Sequence, residues 1–261
     1  MSIDCSQDVT FEDVNSLVKL IPTGVRLTFV GGQAINFWAT YFHKIYPEKF
    51  IKQDELVFGT QDIDIVADSK AAFCCYEAWK TEFNAKINIP TKEDHTMNSA
   101  IVTVYLAGKG DVNIDFLIDY VSYPPQLKAE LFKLSESDSK FFYILSPFAT
   151  LLAKIGNTLI LRRTNPHALG QLRAAMAINQ CNIMELLKNG FHSEASKIIK
   201  NIMNITAKRN IGGHLYQYYN IDLLKILPEN MNALDPRFIK KSLEPGLARI
   251  VSKRKFEHFD K

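Results

Sequence analysis

The chain has 261 residues, enough for one large core or two modest ones. It is 47% hydrophobic and 23% charged, which is ordinary for a globular protein, and no apolar run nears the ~18 residues of a membrane helix. The acidic opening MSIDCSQDVTFEDV does not read as a signal peptide, and Cys5, Cys74, Cys75 and Cys181 contain no CxxC. A disulfide framework and a zinc site are therefore not suggested, and a reducing cytoplasm is the expected location.

The net charge of +3 hides an asymmetry. Residues 1–139 hold 12 Lys+Arg and 20 Asp+Glu, a net −8, whereas residues 140–261 hold 19 and 8, a net +11. An acidic half suited to metal is joined to a basic half suited to polyanion, although two independently solvated surfaces would have the same composition.

In chain order, a short helix is expected over residues 11–20. A buried β-rich strand follows over 25–30, stopped by Gly31-Gly32. Apolar residues at helical spacing (Ala34, Phe37, Trp38, Tyr41, Phe42) predict a helix from 33 to about 46, ahead of Pro47. Residues 47–59 read as a loop and 63–67 as a strand. Asp68-Ser69 caps a helix expected through residue 83. Strands over 100–107 and 112–118 flank the hairpin turn Gly108-Lys109-Gly110-Asp111. This order implies an α+β fold, a mixed sheet with helices against it.

Ser135-Glu-Ser-Asp-Ser139 is a polar break, and few strand signals follow it. Ser146-Pro147 starts a helix with the apolar stripe Phe148, Leu151, Leu152, Ile155 and Leu159. Further helices are expected over 168–189, 193–207, 221–227 and 236–256. The division is a domain over 1–138 and a helical C-terminal domain over 139–261.

The strongest chemical signal is Thr60-Gln-Asp62-Ile-Asp64-Ile-Val66. Alternate strand residues share a face, so Asp62 and Asp64 are neighbours roughly 6.6 Å apart. Two carboxylates at that distance repel by about 2.5 kcal/mol at an effective dielectric near 20. A hard divalent cation bound through oxygen is the usual compensation; solvated or helix-capping acids are the plainer reading. Two features favour metal. Val30-Gly31-Gly32 ends one strand and opens a helix, where backbone amides approach a phosphate, though Gly-Gly also serves simply as a turn. Asn113-Ile-Asp115-Phe-Leu sets an acid within an apolar strand, which is unfavourable unless it is paired or metal-bound. Asp119, at the strand end, needs no such partner.

Gly31-Gly32-Gln-Ala-Ile-Asn36, then Thr60-Gln-Asp62-Ile-Asp64, then Ile114-Asp115 resembles the nucleotidyltransferase superfamily with the DNA polymerase β-like fold, over roughly residues 25–165. Within it the chain is similar to the toxin-type branch related to the abortive-infection AbiE toxin and the MenT toxins. The resemblance implies that Asp62, Asp64 and Asp115 bind two magnesium ions. It implies that Gly31 and Gly32, with Asn36 and Thr60 of the same motifs, bind the nucleotide. It further implies that Lys154 in Leu152-Ala-Lys154-Ile reaches the phosphates, assisted by Arg162 or Arg163. A solvated lysine flanking the stripe is the alternative for Lys154. Two departures stand: 29 residues separate Gly32 from Asp62, which implies an insertion over 43–59, and Thr164-Asn-Pro-His167 lacks the branch's basic-acidic pair and later Asp.

The implied activity is transfer of a nucleotide from an NTP to an acceptor, with tRNA or other structured RNA favoured over protein or a small molecule. An antitoxin protein is a further expected partner. The alternative is a nucleotide- or RNA-binding protein of the same fold without turnover. There is no HExxH and no GxxxxGK[ST], which argues against zinc hydrolase and P-loop chemistry. His167 reads as surface, Cys74-Cys75 as packing, and Tyr216, Tyr218 and Tyr219 as packing or as base-stacking groups beside Lys208-Arg209.

Overall fold

The structure is a computed structural model. It describes residues 8–50, 60–91, 93–121, 123, 131–133, 142–231 and 233–257, with residues 11, 131–133 and 255–257 given as backbone only. The segments 51–59 and 134–141, which hold most of the expected loop and the polar break, lie outside the described residues.

α1 (Phe11–Leu20) starts on a capping box, Thr10 accepting from the Asp13 amide while the Asp13 carboxylate accepts from the Thr10 amide. β1 (Leu27–Phe29) runs directly into α2 (Gly31–His43), and β2 (Ile63–Val66) into α3 (Ser69–Trp79), whose cap is Asp68 as expected. β3 (Lys86–Asn88), β4 (Asn98–Leu106), β5 (Gly110–Leu117), β6 (Leu131–Lys133) and β7 (Phe142–Leu145) complete a seven-stranded mixed sheet in the order β3-β4-β5-β2-β1-β7-β6. The pairs β2–β5 and β1–β7 are parallel, and the other neighbours are antiparallel. The β4–β5 turn uses Gly108 and Gly110 at φ of +79° and +81°. At its tip Lys109 forms an ion pair with Asp13 of α1 at 3.0 Å and donates to the Asp8 carbonyl.

The pleat divides β2 and β5 by face. Ile63, Ile65, Ile114 and Phe116 are buried, in a layer with Val14 and Leu17 of α1 and Trp79 of α3. Asp64 and Asp115 point to the opposite face, where α2 lies.

α4 (Pro147–Leu159) and α5 (Pro166–Lys188) begin on the side-chain caps Ser146 and Asn165 with proline in the first turn. α6 (His192–Thr206) follows. A π-helical turn (Arg209–Gly213) leads into α7 (His214–Tyr219), which ends at Asn220 with φ of +52°. A 3₁₀ turn (Leu223–Ile226), the single-turn α8 (Pro236–Phe238), a second π-helical turn (Ile239–Leu243) and α9 (Glu244–Glu257) finish the chain. No helix among the described residues is long and apolar enough to cross a membrane.

Several sequence expectations are corrected. The strand expected over 25–30 is three residues long, and the helix through 83 stops at Trp79. β3, β6 and β7 were not anticipated, nor was the π-turn and helix over 209–219. The sheet also runs past residue 138, the expected boundary. β7 pairs with β1, and Ala149 and Ala153 of α4 and Ala174, Ala177 and Ile178 of α5 belong to the core of the sheet. The other faces of α4 and α5, with Leu151, Leu152, Ile155, Leu172 and Ile183, build the core of the following helices.

Candidate functional site

Three carboxylates converge where β2 and β5 run side by side. The parallel register sets Asp64 directly beside Asp115, and Asp62 lies one pleat before Asp64. One carboxylate oxygen from each lies within 4.8 Å of the others. Asp62 is exposed, and Asp64 and Asp115 are half-buried. Burial, and then the neighbouring charge of Asp62, push the Asp64 carboxyl up to about 6, with Asp115 adding to the rise and Lys154 and Arg163 opposing it. Asp115 is raised for the same leading reasons, against the pull of Arg163.

Two polar groups orient this cluster. Thr60 Oγ1 donates to Asp62 Oδ1 at 2.8 Å, and Asn98 Nδ2 donates to Asp115 Oδ1 at 3.3 Å. Hydrogen bonds of this kind fix the direction of metal-binding carboxylates.

The glycine pair sits against the acids. Gly31 has φ of +59°, and a Cβ there would collide with the Asp64 carboxylate. Gly32 is equally confined, since its Cβ would stand 2.6 Å from Thr60 Oγ1 and 3.2 Å from Gln171 Nε2. The first turn of α2 carries no side-chain cap. Its amides are the positive end of a helix, set beside three negative groups.

Lys154 supplies the cation. Its side chain is buried in α4 and donates to Gln171 Oε1 on α5 at 2.6 Å. Burial draws its pKa down to about 8 despite the support of Asp64 and Asp62, and the nearby Arg163 adds to the fall. Arg163 is exposed, on the connection between α4 and α5, and its charge acts on Asp64, Asp115 and Lys154.

The other residues named from sequence divide. Arg162 is exposed and takes the left-handed backbone of that connection, φ of +53°. Asn36 Nδ2 donates to the Val9 carbonyl at 3.2 Å and ties the segment before α1 to α2. Thr60 is buried against Gly32 and donates its hydroxyl to Asp62, which makes it a support for that carboxylate. Asp119 is exposed, and its carboxylate accepts from the Tyr120 amide, as suits a strand end. His167 is exposed. Cys75 is buried, and burial raises its thiol to about 12, in keeping with packing. Tyr216 is covered by the Arg254 guanidinium at 4.2 Å, while Tyr218 is exposed and leans on His214.

Gln171 and Asn98 were missed. A glutamine inside the apolar run Leu169-Gly170-Gln171-Leu172 was a usable signal, because a buried amide needs a partner. Asn98 carried none, since its link to Asp115 depends on the register of β4 with β5.

The set can hold a hard cation through oxygen and present amide and ammonium donors to an anion beside it. No family model, curated protein or solved structure matches this chain, and the reading of the site rests on its own residues.

Proposed function

We propose that the protein is a metal-dependent nucleotidyltransferase that moves a nucleotide from a nucleoside triphosphate to an acceptor. The observation that carries this reading is the convergence of Asp62, Asp64 and Asp115 within 4.8 Å, beside a buried Lys154 and a glycine-opened helix. Acids crowded in this way work against one another in the bare protein, as the raised Asp64 shows. A fold that aligns them is explained by a ligand that reverses the repulsion.

The donors fit magnesium: all are carboxylate oxygens, two of them held by Thr60 and Asn98, and no sulfur or imidazole intrudes. Asp62, Asp64 and Asp115 would hold the metal, which when bound neutralises phosphate oxygens and activates the attacking hydroxyl. The chain's own groups do the rest. The first turn of α2, where Gly31 abuts Asp64, would offer its amides to the triphosphate oxygens. Lys154, kept from water, interacts with phosphate more strongly than a surface lysine would. Arg163 stands exposed at the edge of the site, where it can follow the charge that develops on the leaving group.

We assign the acceptor to RNA, held by the basic C-terminal half. Residues 140–261 have a net +11, and Lys240, Lys241 and Lys253 are exposed. Arg254 in the same run is spent on Asp222, so the phosphate-following set is smaller than the sequence suggests. Incubation with each labelled NTP, magnesium and total RNA tests the reading. Label in RNA that disappears with Asp64→Ala supports it; no label in RNA, protein or small-molecule fractions sinks it. Contacts to RNA phosphate would also make affinity fall steeply with salt.

A further inference from the structure

Lys154 is anchored in an unusual way for a buried cation. Among the described residues no carboxylate lies at ion-pair distance from it, and its one hydrogen bond goes to the neutral Oε1 of Gln171. A buried ammonium normally takes a carboxylate partner, which compensates its desolvation directly. Gln171 is itself buried. With Oε1 turned to Lys154, its Nε2 end lies against Gly32, 3.2 Å from where a side chain would begin. One amide thus touches the cation on α4 and the glycine turn on α2, from a position on α5.

We propose that Gln171 is a positioning residue that tethers Lys154 beside the glycine turn through a neutral group, leaving the ammonium charge undiminished for the anion that binds there. The proposal rests on reading the site as one for a triphosphate. Glutamate at this position would have the same reach but would neutralise Lys154 from within, and it would bring a fourth negative charge near Asp62, Asp64 and Asp115. A leucine would fill the space and leave the ammonium with no acceptor. Lack of a side chain at Gly32 then has a second reason: it makes room for Thr60 and Gln171 together.

The test uses the full-length wild type, Gln171→Glu and Gln171→Leu, with two readouts. In the ligand-free protein, acylation of Lys154 by acetic anhydride is followed by mass spectrometry against the exposed Lys253 as internal standard. Gln171→Leu is expected to raise the relative rate at Lys154 at least about fivefold, because the lost acceptor frees a group that burial penalises. Should that variant not fold, Gln171→Asn, one methylene short of the lysine, reads the same rate. An unchanged rate overturns the tether, whatever nucleotide does. Secondly, binding of an ATP analogue with a non-cleavable α,β bond, with magnesium, is expected to weaken at least about tenfold in Gln171→Glu while its melting temperature does not fall. Unaltered affinity in Gln171→Glu beside a binding wild type overturns the role of neutrality. A wild type that binds no analogue overturns the nucleotide reading instead, and the acylation result still decides the tether.

Discussion

Two half-buried aspartates in this chain have opposite environments. In the helical half, Asp222 accepts from both terminal nitrogens of Arg254, at 2.7 and 2.9 Å, and from the Leu224 amide. Burial alone would raise its pKa, yet these bonds outweigh burial and hold it below the ordinary value. In the sheet, Asp64 faces two more acids and rises to about 6, although Lys154 and Arg163 oppose the shift. One carboxylate has been given its partner by the fold, and the other has been denied one. The first arrangement stabilises the native state; the second withholds stability until something charged arrives from outside.

The largest expected effect sharpens that contrast. Asp64→Ala should abolish transfer, by about three orders of magnitude or more, since it removes the central donor of the metal cluster. Without metal the same variant should melt no lower than wild type and is expected to melt higher, because a repelling charge has gone. Magnesium should raise the melting temperature of wild type and leave the variant unchanged. An equal magnesium response in both would break the assignment of the triad.

On the paired side the sign reverses. Arg254→Ala should destabilise by about 2 kcal/mol, the loss of charged hydrogen bonds plus an unpaired acid, read by urea unfolding. It also uncovers Tyr216. Destabilisation below the error of the measurement would mean that the pair is idle.

A pH scan gives a smaller, graded effect. The folded pKa of Asp222 is depressed, so its contribution is fully present above the ordinary value of 3.8 and is lost as pH falls through the lower folded value. Wild type should therefore lose stability more steeply than Asp222→Asn as pH falls below the ordinary value of 3.8. Parallel curves would contradict the depressed pKa. Smallest is Asn36→Ala, at about 1 kcal/mol of stability from the lost bond to Val9, with nucleotide affinity unchanged. A large loss of affinity there would return Asn36 to the site.

Much of the site could be read from local spacing. Asp64 and Asp115 are strand residues, with Asp62 just ahead of β2, and alternation with isoleucine and phenylalanine assigns them a face, while the glycine pair sits at a strand-to-helix junction. What failed to appear was non-local. Asn98 meets Asp115 through strand register, and Gln171 meets Lys154 across two helices, so neither pairing leaves a pattern within one segment. Arg162 and Arg163 are adjacent in sequence, and nothing in that stretch marks Arg162 as the one that takes left-handed backbone. β7 was lost because four apolar residues next to a helix start have no periodicity of their own.

The two-faced packing of α4 and α5 governs how the molecule comes apart. Their alanine-rich sides are sealed into the sheet and their leucine-rich sides into the C-terminal helices, so neither core survives the loss of this hairpin. Heat or denaturant should thus meet one cooperative transition, followed equally by fluorescence from Trp38 under the sheet and by helical circular dichroism. Lys154 and Gln171 stand on that shared hairpin, while Asp64 and Asp115 stand on strands. Strain in the distant helices would therefore reach the cationic wall of the site before the anionic one.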